Sequence, residues 1–241
     1  MAWSDTGRKA FNPQGSNQTN AVALAGTAAG SLIVGGVSFW NATTPAPDGD
    51  ISVSDSVNGA WASGGGEAFY KIAGGGAHQA CALFYLKNNA GGALTITFTS
   101  AAANYDWDVF VHEFAGSGAG TVLSGTPVTA TGTNTTPDTG NLVPTHQNVL
   151  LVAMLGVNSS GALTENRLGE GFTLSNEDEA TMQMGSLVYK IISGNPGTVK
   201  ETWTSASGSD WAAGIAAFAY PGAPAVGGGG SPGKLMSLGI G

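Results

Sequence analysis

The chain has 241 residues, a formal net charge of −8 and 10% charged residues, against roughly 25% in an average soluble protein. The acidic balance argues against nucleic acid as a partner, because phosphate binding needs clustered Lys and Arg and the chain has one adjacent basic pair, Arg8-Lys9. The lone Cys81 excludes an intrachain disulfide and a cysteine-based metal site. The longest apolar run, VLLVAMLGV, is too short to span a bilayer. We therefore expect neither a membrane segment nor a cofactor.

Short apolar segments rich in Val, Ile, Phe, Tyr and Thr recur between clusters of Gly, Asn, Pro and Ser, which is typical of strands separated by turns. No capping signal is followed by an apolar period of 3.6 residues, so no helix is predicted. The pattern predicts an all-β fold, a single β-sandwich or jelly roll. In chain order the predicted strands are NAVALA, SLIVGGVSFW, DISVSDS, ALFYLK, LTITFTS, WDVFVHEF, VLLVAML, FTLSN, SLVYKII, TVKETWT and WAAGIAAFAY.

Two parts of the chain resemble each other. The stretch that begins FYLKNNAGG resembles the stretch that begins VYKIISGNP, and SLIVGGVSFW resembles NVLLVAMLGV at a slightly larger offset. The sequence therefore predicts a sandwich built from two pseudo-repeated halves, with convergent patterning of similar strands as the alternative. The matched residues, at an offset of 104 (218 minus 114), are Tyr85 with Tyr189, Asp106-Trp107 with Asp210-Trp211, and Phe114 with Phe218.

The ends of the chain differ in composition from its middle. Residues 1–19 are polar and lack the apolar core of a signal peptide, so they are predicted to form an N-terminal arm. The sandwich is predicted to cover 20–222, with halves at about 20–116 and 141–222 and a connection at 117–140. Residues 223–241 form a Gly-rich linker and a short apolar C-terminal arm, which could add to a neighbour's sheet or fill its groove. The candidate assembly contacts in this arm are Lys234, Leu235, Met236, Leu238 and Ile240.

The stretch YDWDVFVHEF carries the densest group of reactive side chains, and its strand periodicity divides them between two faces. Asp108 and His112 share one face about 13 Å apart, given a rise of about 3.3 Å per residue, and Glu113 lies on the other. Asp106 and Asp108 could still reach one Ca²⁺ ion at a strand edge. The second copy, SDWAAGIAAFAY, keeps the Asp-Trp pair and the closing Phe but loses the other three groups. We therefore predict a structural role, with no catalytic and no metal-binding residue.

Exposed aromatic rings could stack on sugars. Trp61, flanked by loop residues, is the first candidate for such a ring, and Trp40 is the second, whereas Trp203 lies in an alternating strand and is predicted to be in the core. His78 and His146 stand alone in loops and are predicted to be solvated or hydrogen-bonded.

The segments SLIVGGVSFW, DISVSDSVNGAWA, ACALFYLKNNAGGALTITFTS and DVFVHEFAG resemble glycine-rich β-sandwich proteins of tailed phages and bacteria. Some of these resemble jelly-roll decoration, cement or fibre proteins on phage particles. The resemblance covers about residues 20–222, and its motifs are fold signatures with no catalytic residue to carry over.

The resemblance implies a non-enzymatic virion structural protein, made in the host cytoplasm without a signal peptide. Its implied partners are further copies of itself, for instance in a trimer, and other virion proteins such as the major capsid protein. A carbohydrate-binding module or a receptor-binding tail-fibre component is the alternative. A hydrolase on a jelly-roll scaffold would need a carboxylate pair facing a groove.

Overall fold

The computed structural model describes residues 2–14, 18–40, 51–63, 65–73, 79–100, 106–116, 118, 120–158, 163–165, 171–178, 183–205 and 208–226. These residues contain strands, turns and one 3₁₀ turn (Trp61–Ser63) but no α-helix, which confirms the all-β prediction. No helix in this part of the chain is long and apolar enough to cross a membrane. The strands of the first half are β1 (Ser4–Gln14), β2 (Thr19–Thr27), β3 (Leu32–Trp40), β4 (Ile51–Asp55), β5 (Gly59–Ala60), β6 (Gly65–Ile72), β7 (Gln79–Leu86), β8 (Gly92–Ser100) and β9 (Asp106–Ala115).

The second half begins after the glycines that follow β9. Its strands are β10 (Val122–Leu123), β11 (Val128–Gly132), β12 (Val149–Asn158), β13 (Leu163–Glu165), β14 (Thr173–Asp178), β15 (Gln183–Ile191), β16 (Trp203–Ser205) and β17 (Trp211–Ala219). All eleven segments predicted as strands overlap a strand. The range predicted as the N-terminal arm contains β1, which pairs with β9.

Four antiparallel sheets form the described structure. Inner sheet 1 has the order β1-β9-β3-β7-β6, and inner sheet 2 has the order β10-β17-β12-β15-β14, with β11 also paired to β17. Outer sheet 1 has the order β2-β8-β4-β5, and outer sheet 2 consists of β13 and β16. Within the described residues, the strand at each edge of an inner sheet is hydrogen-bonded to a neighbouring strand on one of its two sides.

Three apolar clusters join the sheets into layers. The first lies between outer sheet 1 and inner sheet 1, and includes Phe98 and Trp107. The second lies between the two inner sheets, and includes Phe114 and Phe218. The third covers the far face of inner sheet 2, where Trp203 of β16 packs. Because both faces of the inner sheets are covered, their central strands are apolar almost without interruption, as in SLIVGGVSFW and VLLVAMLGV.

The predicted duplication is confirmed by strand order and register. The order β9-β3-β7 of inner sheet 1 is repeated as β17-β12-β15 in inner sheet 2. Leu32 pairs with Phe114 in the first half, as Leu150 pairs with Phe218 in the second. The edge strand β1 corresponds to β10 and β11 together, since these pair with β17 where β1 pairs with β9. Each half thus contributes one inner and one outer sheet to the sandwich.

A bulge is repeated as well. The pairing of β6 with β7 skips Ala68, and the pairing of β14 with β15 skips Ser175 at the equivalent position. A bulge leaves an extra residue unpaired in the ladder and redirects its side chain. Ser175 is thereby placed at the packing surface between the inner sheets.

Candidate functional site

Strand β9 sends its polar side chains to two faces, as predicted. Trp107, Val109 and Val111 belong to the cluster facing outer sheet 1, whereas Phe110 and Phe114 belong to the cluster between the inner sheets. Asp108 and His112 alternate with the first group and therefore face inner sheet 2. Both are buried, with 3% and 1% of their surface exposed.

His112 forms the centre of a hydrogen-bonded network between the two halves. Its Nε2 lies 2.7 Å from Oδ1 of Asp5 on β1, and its Nδ1 lies 2.7 Å from the Oγ of Ser175 on β14. The hydroxyl of Tyr189 on β15 donates to Oδ2 of Asp5 at 2.7 Å. Since a carboxylate only accepts, we assign the proton of the neutral imidazole to Nε2, and Nδ1 then accepts from the Ser175 hydroxyl.

Asp, His and Ser in hydrogen-bonding sequence are the groups used by nucleophilic hydrolases. Here Ser175 is 2% exposed and the imidazole is stacked on Phe114, with ring centroids 4.3 Å apart. In this conformation a substrate carbonyl has no route to the hydroxyl. The arrangement can instead orient the imidazole and join β1, β9, β14 and β15 across the inner-sheet interface.

The charges of the network are set by burial and by hydrogen bonds. Burial lowers the pKa of His112, and this outweighs the opposing effect of the Asp5 carboxylate. Burial alone would raise the pKa of Asp5, but hydrogen bonds from the Gly7 amide, Tyr189 and His112 bring it below its ordinary value. Burial and the same carboxylate raise the pKa of Tyr189 to about 12. At neutral pH the network therefore contains one carboxylate and a neutral imidazole.

Glu113 belongs to a second polar group, on the opposite face of β9. Its Oε2 accepts from Arg8 at 2.8 Å, and its Oε1 accepts from the backbone amide of Ala28 at 2.6 Å. The hydroxyl of Thr6 donates to the Glu113 backbone carbonyl at 2.8 Å. Burial would raise the pKa of Glu113, but these donors lower it below its ordinary value. Glu113 thus anchors β1 to β9 and to the β2–β3 turn.

Asp108 lies further along β9, opposite Ser38 on β3 and Pro13 on β1. Its Oδ2 is buried and accepts no hydrogen bond from the described protein groups. Burial, with the nearby charges of Asp178 and Asp106, raises its pKa to about 8. Burial and the neighbouring negative charges therefore favour the protonated form of Asp108 at neutral pH. The described ranges bring together no group of three or more His, Cys, Asp or Glu that could hold a metal ion.

A cavity of about 280 Å³ lies beside the β2–β3 turn, where the Ala28 amide donates to Glu113. Only Ala, Ser and Gly residues line it. These residues present backbone groups, methyl groups and hydroxyls to the cavity. None of their side chains is an acid, a base or a charged group.

The tryptophans considered for sugar stacking differ in how deeply they are buried. The expected exposure of Trp61 is wrong, since its ring is 1% exposed and its Nε1 donates to Asp55 at 2.9 Å. The 3₁₀ turn that follows β5 folds this side chain into the first apolar cluster. Trp40 is half-buried at the end of β3, and its role in stacking stays a prediction. Trp203 is in the core, as predicted.

Of the other residues considered in the sequence, His146 and Cys81 lie within the described structure and the rest lie outside it. His146 is hydrogen-bonded, with its Nδ1 3.1 Å from the Thr145 hydroxyl and 3.3 Å from that of Ser124. Cys81 is buried, and burial raises the pKa of its thiol. The arm contacts and His78 lie outside the described residues: Lys234, Leu235, Met236, Leu238, Ile240 and His78.

Sequence reasoning missed Asp5 and Ser175, the two partners of His112. Asp5 lies in a polar segment with no strand alternation, and Ser175 lies in a short strand in which no sequence pattern points to His112. The bulge that turns Ser175 inward has no local glycine to mark it, so nothing in the sequence indicated it.

No family model matches the chain, and no curated protein matches it. Among solved structures, the chain is similar to the major capsid protein P2 of bacteriophage PM2, with 11% identity over 90% of this chain and 97% of that one. The TM-score is 0.25, a value at which the similarity carries no argument about fold or function. The fold assignment depends on the sheets described above.

Proposed function

We propose that the chain is a non-enzymatic structural protein of a phage particle, a capsid decoration or cement protein that self-associates and binds neighbouring subunits through its terminal arms. The observation that carries this proposal is the outward face of outer sheet 1, which is regular and uncharged. We call it the threonine face. Its residues are Thr19, Ala21, Ala23, Ser52, Ser54, Thr95, Thr97 and Thr99.

The threonine face follows from strict alternation. In β8, the outward Thr95, Thr97 and Thr99 alternate with Leu94, Ile96 and Phe98, which are buried in the first apolar cluster. Strands β2 and β4 flank β8 in register and add small hydroxyl and methyl side chains to the same face. Among the described residues of these strands, this face carries no charged group.

Such a face suits assembly for an electrostatic reason. Copies with a formal charge of −8 repel one another, and the central parts of protein interfaces are depleted of charged residues. An uncharged face allows close approach of a neighbouring subunit, which supports contacts with a second copy, with trimers as one form, or with a major capsid protein. The buried polar groups of β9, which join the halves, fit a rigid building unit.

Sedimentation velocity with matched variants tests self-association. We expect the wild type to sediment as a concentration-dependent oligomer. Thr97→Lys places a charge at the centre of the threonine face and should reduce association, as should deletion of residues 227–241. Thr136→Lys is the control, because this exposed threonine lies in the connection between the halves. A wild type that stays monomeric, or variants that associate as it does, would contradict the proposal.

A further inference from the structure

Among the described residues, three large apolar side chains are exposed, and two of them lie close to the last described residue of the chain. Val122 on β10 is 45% exposed and Val143 is 61% exposed. The third, Val57, is 49% exposed and lies in the turn between β4 and β5. Single exposed apolar residues are common on protein surfaces. Val122 and Val143 differ from Val57 because the segments that carry them adjoin each other.

The segments around Val122 and Val143 are in direct contact. A Cβ on Gly125 would lie 2.7 Å from the Val143 carbonyl oxygen. Next to Gly125, the Ser124 hydroxyl accepts a hydrogen bond from the backbone amide of Thr145 at 3.1 Å. The two valines therefore belong to neighbouring segments of one surface.

Both segments lie on the side of inner sheet 2 that outer sheet 2 covers. Leu123 packs against the apolar cluster between the inner sheets, so Val122, its neighbour in the strand, points to the opposite side. Leu142, which precedes Val143, is buried in the cluster on that opposite side. Outer sheet 2 has two described strands, whereas outer sheet 1 has four, and the exposure of Val122 shows that this margin of the sheet is uncovered. We call Val122 and Val143 the valine patch.

The last described residues run beside the valine patch. They pair antiparallel with the segment that precedes β12, and the Val226 amide donates to the Thr145 carbonyl at 2.8 Å. In an antiparallel pair the two chains run in opposite directions, so the direction set at Val226 leads from Thr145 towards Val143. Residues 227–241 therefore start from a point next to the patch.

The composition of residues 227–241 suits a contact with an apolar surface nearby. Met236, Leu238 and Ile240 alternate with a serine and a glycine, which is the period of a strand with one apolar face. Seven residues, GGGGSPG, separate this arm from Val226, and a Gly-rich segment of that length spans about 15 Å on average. So short a connection keeps the arm at an effective concentration in the millimolar range around the patch.

We propose that residues 234–241 dock on the valine patch of their own chain in the isolated subunit, with their alternating apolar side chains against Val122 and Val143. The patch is exposed, apolar and next to the point from which the segment starts. This docking does not depend on the function proposed above, but it deepens it. In a particle, the same contact with a neighbouring copy would be an exchange of identical segments between subunits, so the patch is the acceptor for the arm.

A nitroxide on the arm tests the contact, because it weakens the NMR signals of nearby methyl groups. The label is attached to Ser237→Cys in the full chain, where the native Cys81 is buried. Spectra are recorded below the concentration at which the chain associates. We expect the methyl signals of Val122 and Val143 to lose intensity, whereas those of Val57, which is similarly exposed in the first half, keep theirs. No loss at the patch, or equal loss at all three valines, would overturn the proposal.

Tethering alone brings the label near the patch, so an arm that cannot dock sets the baseline. Met236→Ser/Leu238→Ser/Ile240→Ser removes the apolar side chains and keeps the length of the arm. The native arm should weaken the signals of Val122 and Val143 more than this variant does. Equal weakening by both arms would mean that the native arm is not docked.

The mobility of the same label, measured by electron paramagnetic resonance, tests the patch itself. Val122→Ser/Val143→Ser should raise the mobility to that of the serine-substituted arm. Val57→Ser, the matched control, should leave it unchanged. All three positions are exposed, so we expect each variant to fold. Unchanged mobility in the double variant would exclude the patch as the acceptor.

A mixed sample separates docking on the same chain from binding to a neighbour. Nitroxide-labelled chains that are invisible in the spectrum are mixed with visible chains that carry no nitroxide, so that any loss of signal is intermolecular. At low concentration we expect no loss at Val122 and Val143. Loss would overturn docking on the same chain and leave the proposed self-association in place, since sedimentation velocity tests that association separately.

Discussion

Phe114 and Tyr189 lie in different halves of the chain and pack edge-on, with ring centroids 5.0 Å apart and planes inclined at 65°. The contact joins the centre of inner sheet 1 to inner sheet 2, and a second pair, Tyr85 and Phe218, repeats it in the opposite sense. Because each half contributes one ring to each pair, the interface between the halves is held at two related points. The two halves are thus packed as a fixed pair.

Removal of Phe114 should weaken this interface strongly. Its side chain is fully buried, so Phe114→Ala should lower the free energy of unfolding by about 3–5 kcal/mol, measured by urea denaturation. Phe218→Ala, at the equivalent position, should behave similarly. Phe11→Ala is the control, because Phe11 stacks on Phe110 but is half-buried, and its loss should be smaller. Because Phe11 packs at the margin of the same apolar cluster, equal effects of Phe11→Ala and Phe114→Ala would contradict the central position of Phe114 in the interface.

Close approach of the inner sheets depends on Gly214 of β17. A Cβ at this position would lie 2.4 Å from the Phe69 ring, so Gly214→Ala should lower the unfolding free energy by about 1–3 kcal/mol through overpacking. At Gly36 a Cβ would first meet the sulfur of Met154, at 2.7 Å. Since a methionine side chain adapts, Gly36→Ala should be less destabilising when both are measured by thermal unfolding. The reverse order would contradict the packing described here.

Asp108 should make stability decline as pH rises. Its pKa is about 8 in the folded chain and about 3.9 when unfolded, so the folded state holds the extra proton between these values. The contribution of Asp108 to stability is then greatest below about pH 3.9 and declines until about pH 8, by up to about 1.4 kcal/mol per pH unit. Asp108→Asn should flatten the profile of unfolding free energy against pH in this window. Asp210→Asn, at a half-buried position, should not. An unchanged slope in Asp108→Asn would refute the raised pKa.

Glu113 should change the pH dependence of stability in the opposite direction, so that its contribution is lost as pH falls. Its pKa is lowered in the folded chain by hydrogen bonds that outweigh burial, so its contribution is present above the unfolded value of about 4.3 and is lost as pH falls through the folded pKa. Glu113→Gln should lower the unfolding free energy at pH 7 by about 1–3 kcal/mol and reduce its decline in acid. Glu67→Gln, at an exposed position of β6, should leave both properties close to wild type. If acid denaturation of Glu113→Gln matched the wild type, the anchoring role would be wrong.

The sequence alone predicted the all-β class, eleven strand positions and the duplication, because strands covered on one or both faces keep alternating or continuous apolar patterns. It did not predict β1, whose residues SDTGRKAFNPQ contain Gly, Pro and charges. That strand forms because β9 offers a partner edge and side chains of β9 hold it. Strand β6 was missed for a related reason, since most of its residues are only half-buried and the bulge at Ala68 interrupts its alternation.

The polar network was predictable only in part. The period of two correctly separated Glu113 from Asp108 and His112, and the second copy correctly indicated that the fold does not need them. The partners of His112 are 107 and 63 residues away along the chain, and local patterns carry no information over such distances. The burial of Trp61, by contrast, is supported by a residue close in sequence, Asp55, which accepts a hydrogen bond from its indole N–H.

The proposal that this chain is a structural component of a phage particle is tested most directly by quantitative mass spectrometry of phage particles purified from cultures that express it. We expect the protein in those particles, in a fixed ratio to the major capsid protein, and a lower ratio when residues 227–241 are deleted. Purified particles that lack the protein would contradict the account.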